Sequence, residues 1–306
     1  MTHATISVIS FGGGFNLPLW AAQACGYFER HGVTMELHFT ADSRQVFRGL
    51  ADGTYHVALT ALDNIVAHQE RQTAAVSEGA PDFFAFMGSD EGFLSLVSAP
   101  DIRSFADLAG RALSVDDPSN GFSMVLREML AMNGLAPDDV EWQSAGATDR
   151  RYAALVAGQH AATMLRTPFD LLALQAGCHR LGKVRELIGP YMGIVGAARR
   201  AWAASNGEAL VGFVRAYRDA VGWLHAPANR EAAETLLRAG VPSMSAELGR
   251  LSCDALLNPE DGFYGDVRLD PKGVEAVLRL RSRYADTPRP LNDASRYVDL
   301  QYWSAA

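Results

Sequence analysis

The chain has 306 residues, 48% hydrophobic and 20% charged, long and apolar enough for two lobes with separate cores. Its formal net charge of −8, with no basic stripe, argues against a nucleic-acid or anionic-membrane surface. Three scattered cysteines, Cys25, Cys178 and Cys253, form no CxxC or Cys/His cluster. They predict neither a disulfide framework nor a metal site, and each reads as a small buried apolar residue.

No run approaches the ~20 apolar residues of a membrane span. The opening "MTHATISVISFGGG" lacks a basic stretch followed by a long apolar one, so no secretory signal is expected in it. The compartment expected is the periplasm if a leader has been removed, and otherwise the cytoplasm.

In chain order, "TISVIS" predicts a strand that ends in the turn "FGGGFN". A helix follows from Leu17, with Asn16 as N-cap and Pro18 in the first turn, and Gly32 marks a stop after "GYFERHG". The alternating "TMELHF", the helix "SRQVFRGLADG" and the strand "YHVALT" complete a βαβαβ unit, the pattern of a parallel sheet flanked by helices. "FFAFMG" and "FLSLVSA" read as two extended runs, and "SFADLAG" as a short helix. "RALSV", "FSMVLREMLAMNG", "VEWQSA", "DRRYAALVAG" and "HAATML" then repeat strand, helix, strand, helix, strand. "VRELIG" and "YMGIVGAA" read as extended, and the last hundred residues as helical, closed by a short docking tail "SRYVDLQYWSAA".

The second unit repeats the first. Gly53 matches Gly158, Leu50 matches Leu155, and Asp63 with Asn64 matches Pro168 with Phe169. Two Rossmann-like α/β lobes joined by two crossings leave a cleft, with ligands expected beyond the carboxyl ends of the strands. Four segments lie there, "FGGGFN", "TALDN", "DDPSNG" and "LRTPFD", and each leads into a helix whose first N–H groups suit an anion. Arg166 and Arg44 are the cations placed at such ends. Arg166 has an alternative in a helix-surface pair with Asp170, and Ser119 and Asn120 have one as plain N-caps. The triple glycine at 12–14 is out of register for a dinucleotide fingerprint, and no GxSxG, HExxH or phosphate loop appears. No cofactor or metal is called for. His68, His160 and His179 read as structural or exposed.

"PLWAAQACGYFERHGVTMELHF", through Pro18, Leu19, Ala22, Gly26, Tyr27, Phe28 and Gly32, resembles the opening of one branch of ABC-transporter solute-binding proteins. This is the nitrate/sulfonate/taurine and NMT1/THI5-like group. "VFRGLADGTYHVALTALDNIVA" and "SFADLAGRALSV" resemble its next two landmarks, and the likeness covers most of residues 1–200. It implies a type II periplasmic-binding-protein fold with lobe one at 1–88 plus 191–306 and lobe two at 89–190. It also implies hinge closure on a small, often anionic solute, delivered to an ABC permease. Carried over by position, the contacts would come from Phe15, Asn16, Ser43, Thr60, Asp63, Ser89, Ser119, Asn120, Gly121 and Arg166. Arg44 and Phe169 complete the expected set, Phe169 with Phe15 and Phe122 as stacking walls for a pyrimidine or aromatic acid. No cysteine stands in "DPSNGF" or "GGGFNLP", which disfavours the thiamine-precursor synthase and desulfinase chemistries of relatives.

The alternative is a cytoplasmic decarboxylase, hydrolase or lyase on the same fold, using Asp63, Asp117 or His56 as acid or base. A regulator's sensor module is the third reading, weakened by the lack of a DNA-binding motif. A monomer is the expected state.

Overall fold

The computed structural model describes residues 3–73, 82–241 and 244–306. Its strands are, in order, β1 (Ala4–Phe11), β2 (Val33–Thr40), β3 (Val57–Ala61), β4 (Phe83–Gly88), β5 (Leu94–Ser98), β6 (Ala112–Val115), β7 (Glu141–Ser144), β8 (Ala162–Arg166), β9 (His179–Lys183) and β10 (Ile194–Arg199). They form two five-stranded sheets, ordered β2-β1-β3-β10-β4 and β7-β6-β8-β5-β9. With β10 and β5 written as x and the other strands of each sheet numbered in chain order, both orders are 2-1-3-x-4. The repeat seen in the sequence is thus a repeat of topology.

Neither sheet is purely parallel. β10 runs antiparallel to β3 and β4, and β5 runs antiparallel to β8 and β9. These are the two strands that enter from the other lobe, so each arrives against the direction of its hosts. A βαβ pattern carries no sign of this, because the reversal is made by a strand from outside the unit.

The helices are α1 (Leu17–Ala24), α2 (Tyr27–Arg30), α3 (Ser43–Asp52), α4 (Leu62–Gln69), α5 (Gly121–Met132), α6 (Thr148–Val156), α7 (Phe169–Gln175), α8 (Val184–Ile188), α9 (Arg200–Ser205), α10 (Gly207–His225), α11 (Arg230–Gly240), α12 (Ala246–Leu256), α13 (Pro271–Tyr284) and α14 (Gln301–Ser304). "VRELIG" is therefore helical, which corrects its reading as extended. Glu186 accepts from the Lys183 N–H at 3.2 Å and starts that turn. The strand before it, β9, carries His179, Arg180 and Lys183 on a half-exposed edge, so it shows no apolar alternation.

Side chains of the first sheet alternate between two layers, as strand geometry requires. Ile6, Val8, Val57 and Leu59 pack with α1 and α10, while Ile9 and Ala58 join the cluster that holds Phe47, Leu62 and Val66. Gly53 and Gly158 end α3 and α6 with φ of +83° and +71°, a conformation where glycine has no Cβ penalty. The C-terminal tail docks on the first sheet: Ala85 N–H donates to Tyr297 O at 2.8 Å, and Asp299 N–H donates back to Ala85 O at 3.0 Å. Cys178 and Cys253 are buried and Cys25 half-buried, all three as free thiols. Among the described residues, no helix is long and apolar enough to cross a membrane.

His68, on α4, is buried and stacks on Phe47 with ring centroids 3.7 Å apart. Burial, with Arg281 nearby, pushes its pKa down to about 4. A histidine lowered in this way contributes stability that is present above its unfolded value and lost as pH falls through about 4. The ordinary value of 6.5 sets a ceiling of about 3 kcal/mol on that contribution. We expect His68→Phe to flatten the loss of stability between pH 6.5 and 4, read as Tm across buffers; an unchanged slope would place the acid sensitivity elsewhere.

Candidate functional site between the lobes

The two crossings between lobes meet at one buried carboxylate. Asp90, directly after β4, is fully buried. Its Oδ1 accepts from Gly92 N–H at 2.6 Å in its own crossing and from Ile194 N–H at 3.2 Å in the returning one. The Asp90 carbonyl also accepts from Gly193 N–H at 3.0 Å. Backbone approach is so close that a Cβ on Gly193 would lie 2.1 Å from Gly92 N. Only glycine fits there.

Arg166, the last residue of β8, reaches this junction from lobe two. Its Nε donates to Gly92 O at 2.9 Å, and its Nη2 lies 3.6 Å from Asp90 Oδ1. The guanidinium sits over the Phe15 ring at 4.4 Å and near Phe122 at 6.0 Å, so lobe one supplies the nearer aromatic face and lobe two the cation and the farther ring. Nη2 is buried and has no hydrogen-bond partner among the described residues. Burial pushes the Asp90 carboxyl up, against the pull of Arg166 and the two amide donors. The alternative pairing of Arg166 with Asp170 is not made; Asp170 takes Arg180 at 2.9 Å.

The second junction lies at the start of α5. Asp63 is held by Arg281 of α13 through two bonds of 2.6 Å, both groups buried. Arg281 also donates to Ser119 O at 3.2 Å. Gly121 packs so tightly on Asp63 that a Cβ there would come within 2.4 Å of its Cγ. A carboxylate of lobe one thus packs against the start of α5 in lobe two, with both its oxygens on Arg281. α13 packs against both α4 and α5, and Glu128 on α5 takes Arg279, Arg283 and Tyr284 at 2.7, 2.9 and 2.8 Å. The lobes are latched.

The other expected contacts fall into two groups. Ser89 lies at the Asp90 junction, where its hydroxyl donates to Asp90 Oδ2 at 3.2 Å and is 2.8 Å from Tyr217 OH. Asn16 spends its amide inside its own turn, accepting from Ser10 Oγ at 2.6 Å and donating to Phe11 O and Gly13 O. Thr60 accepts from Asn64 at 3.0 Å. Ser119 bonds Asp117 at 2.6 Å, and Asn120 caps α5 by accepting from Ser123 N–H at 3.0 Å. Ser43 and Arg44 are exposed at the start of α3, capped by Asp42. Phe169 tilts against Tyr152, 5.8 Å away within lobe two.

The acid/base candidates are engaged separately: Asp63 with Arg281, Asp117 with Ser119, and His56 with Ser7 N–H at 3.2 Å and the Trp202 ring at 5.0 Å. Among the described residues, no group of three or more His, Cys, Asp or Glu could hold a metal ion.

A cavity of about 250 Å³ lies beside the Arg166 junction, between α12 and lobe two. Thr167, Asp170, Arg180 and Glu91 line it, and none of the twelve expected contact residues does. The sequence reading passed over both Asp90 and Arg281. The acidic pair of "GSDEGF" between two apolar strands was the available signal for Asp90; "RLRSR" in α13 reads as an ordinary charged helix face.

A model described as NMT1/THI5 like matches residues 16–231. The chain belongs to the NMT1/THI5-like family. No curated protein sequence matches it. Among solved structures, a ligand-binding component of an ABC-type import system from Staphylococcus aureus, with zinc bound, superposes with a TM-score of 0.79 at 13% identity, covering 99% of this chain and 98% of that one. The periplasmic nitrate-binding protein NrtA of Synechocystis PCC 6803 gives 0.77 at 14%, covering 99% and 88%. The periplasmic aliphatic sulphonate binding protein SsuA of Escherichia coli gives 0.69 at 19%, covering 92% and 91%. This member of the family therefore has the two-lobed α/β fold of periplasmic binding proteins.

Removing one partner of the buried Asp63–Arg281 pair leaves an uncompensated charge, at a cost of about 3–5 kcal/mol. We expect Arg281→Met to lower the urea-unfolding free energy by about that much, and Asp63→Asn in the same background to restore part of it. Equal stability of the single and double variants would show that the two side chains are not coupled.

Proposed function

We propose that this chain is the solute-binding component of an ABC importer, capturing a small anionic organic molecule between its lobes and delivering it to a permease outside the cytoplasmic membrane. Residues 1–88 with 191–306, and residues 89–190, act as the two jaws. The observation that carries this reading is Arg166: a buried guanidinium at the lobe boundary, stacked on an aromatic ring of the facing lobe, with a donor left over. A buried donor without a partner costs about 1–3 kcal/mol, which an accepting sulfonate or carboxylate oxygen would recover. The family membership and the fold shared with nitrate- and sulphonate-binding proteins support the same class of solute.

The ion pair with Asp90 decides how to test it. Arg166→Ala would strand a buried carboxylate and confound binding with folding. Arg166→Lys keeps a cation for Asp90 but loses the planar fork. With small sulfonates, carboxylates and pyrimidines, the native protein should show a Tm that rises with ligand concentration, reflecting a stabilisation of about 2.7 kcal/mol at a hundredfold excess over Kd. Arg166→Lys should weaken the affinity behind that response at least about tenfold, about 1.4 kcal/mol. An undiminished response would remove Arg166 from the site, and recovery of a chemically altered ligand would end the receptor reading.

A further inference from the structure

The cavity beside the Arg166 junction has its own chemistry. Lobe two contributes Ser95, Arg180 and Lys183, and the segment after α12 contributes Asn258. Its charged groups are mostly paired: Arg180 with Asp170 at 2.9 Å, Lys183 with Asp261 at 2.7 Å, and Arg185 with Glu91 at 2.6 Å. Three atoms are left over. Glu91, only 7% exposed, uses Oε1 for Arg185, while its Oε2 is buried with no hydrogen-bond partner among the described residues. Arg180 Nε and Asp170 Oδ1 are buried and equally without a partner. Buried polar atoms are rarely left this way unless something else satisfies them.

The leftover groups are of opposite kind, two carboxylate acceptors and one guanidinium donor. Between them Phe93, Leu94, Leu171 and Leu251 give the cavity an apolar wall. From this arrangement we infer that the cavity between α12 and lobe two binds a small zwitterion of the α-amino-acid type, its ammonium on Glu91 and its carboxylate on Arg180 and Lys183. At about 250 Å³ the space lies below the range of drug-sized ligands, which suits a compact molecule with an apolar side chain. This site is separate from the Arg166 face, none of whose expected contact residues line it, and does not rest on an anionic solute being captured there.

Calorimetric titration of the purified chain with a panel of α-amino acids, and with matched probes carrying only the amine or only the carboxylate, tests the inference. Saturable binding is expected for at least one zwitterion at millimolar concentration or below, with each half-probe weaker by about tenfold or more. Glu91→Gln should weaken the zwitterion and the amine by about tenfold while leaving the carboxylate probe unchanged; Lys183→Met, on the half-exposed rim, should do the reverse. A merely structural Glu91 would lower Tm without that selectivity. No saturable binding by any zwitterion, or both variants weakening both half-probes alike, overturns the inference. Displacement of the zwitterion by a sulfonate whose binding needs Arg166 would put both at one site and overturn it too. Binding of sulfonates alone would leave the proposed function standing without this site, and binding of zwitterions alone the converse.

Discussion

The architecture depends on Asp90. A carboxylate with no exposure to water is stable only if its oxygens are filled, and its neighbours fill them from three directions: the two crossings through backbone N–H groups, and lobe two through Arg166. The same atoms that satisfy one side chain therefore fix where the chain leaves the first lobe, where it returns, and where the end of β8 sits. Glycines at 92 and 193 follow from this, because the crossings touch backbone to backbone.

The swapped strands distribute the same constraint over the fold. β5 and β10 each lie in the sheet of the lobe they enter, antiparallel to both neighbours. Each lobe thus owns a strand whose far end begins in the other. α13 then bridges the front: Arg281 holds Asp63 against the start of α5, and Glu128 gathers three groups from the same helix. The apolar cluster continues through this helix from one lobe to the other. Closure here is a packed interface with buried ion pairs, in which opening must hydrate groups that now satisfy one another.

That interface also explains the chemistry of the cleft. The start of α5 facing lobe one packs against the protein's own carboxylate, Asp63, whose charge is matched by Arg281. The guanidinium of Arg166 lies on Phe15 at the lobe boundary, and beside it is a cavity whose charges nearly cancel. The two spaces differ in electrostatic demand although a single residue step, from Arg166 to Thr167, separates their walls.

Much of this was readable from the residues in a line. Hydrophobic periodicity placed most strands and helices, glycines such as Gly53 and Gly158 marked their ends, and the repeated order of elements announced two like halves, because these signals are local and act over a turn or a strand. The ends of strands, and so Arg166 and Phe15 at the lobe boundary, followed from the same periodicity. Which partners those residues take did not. Asn16, Thr60 and Ser119 look like ligand contacts in sequence and turn their polar atoms on their own loops, because short polar side chains bond the nearest backbone or neighbour available. Asp63 finds its counter-charge 218 positions away and Arg166 finds its own 76 positions back, distances at which no pattern along the chain carries pairing information. The sequence by itself determined the elements, their order and the doubling; only tertiary structure decided direction in the swapped strands, the meeting of the crossings at Asp90, and the packing of the Asp63–Arg281 pair against the start of α5. Those depend on charges brought together by folding, and burial rather than proximity in the chain selects them.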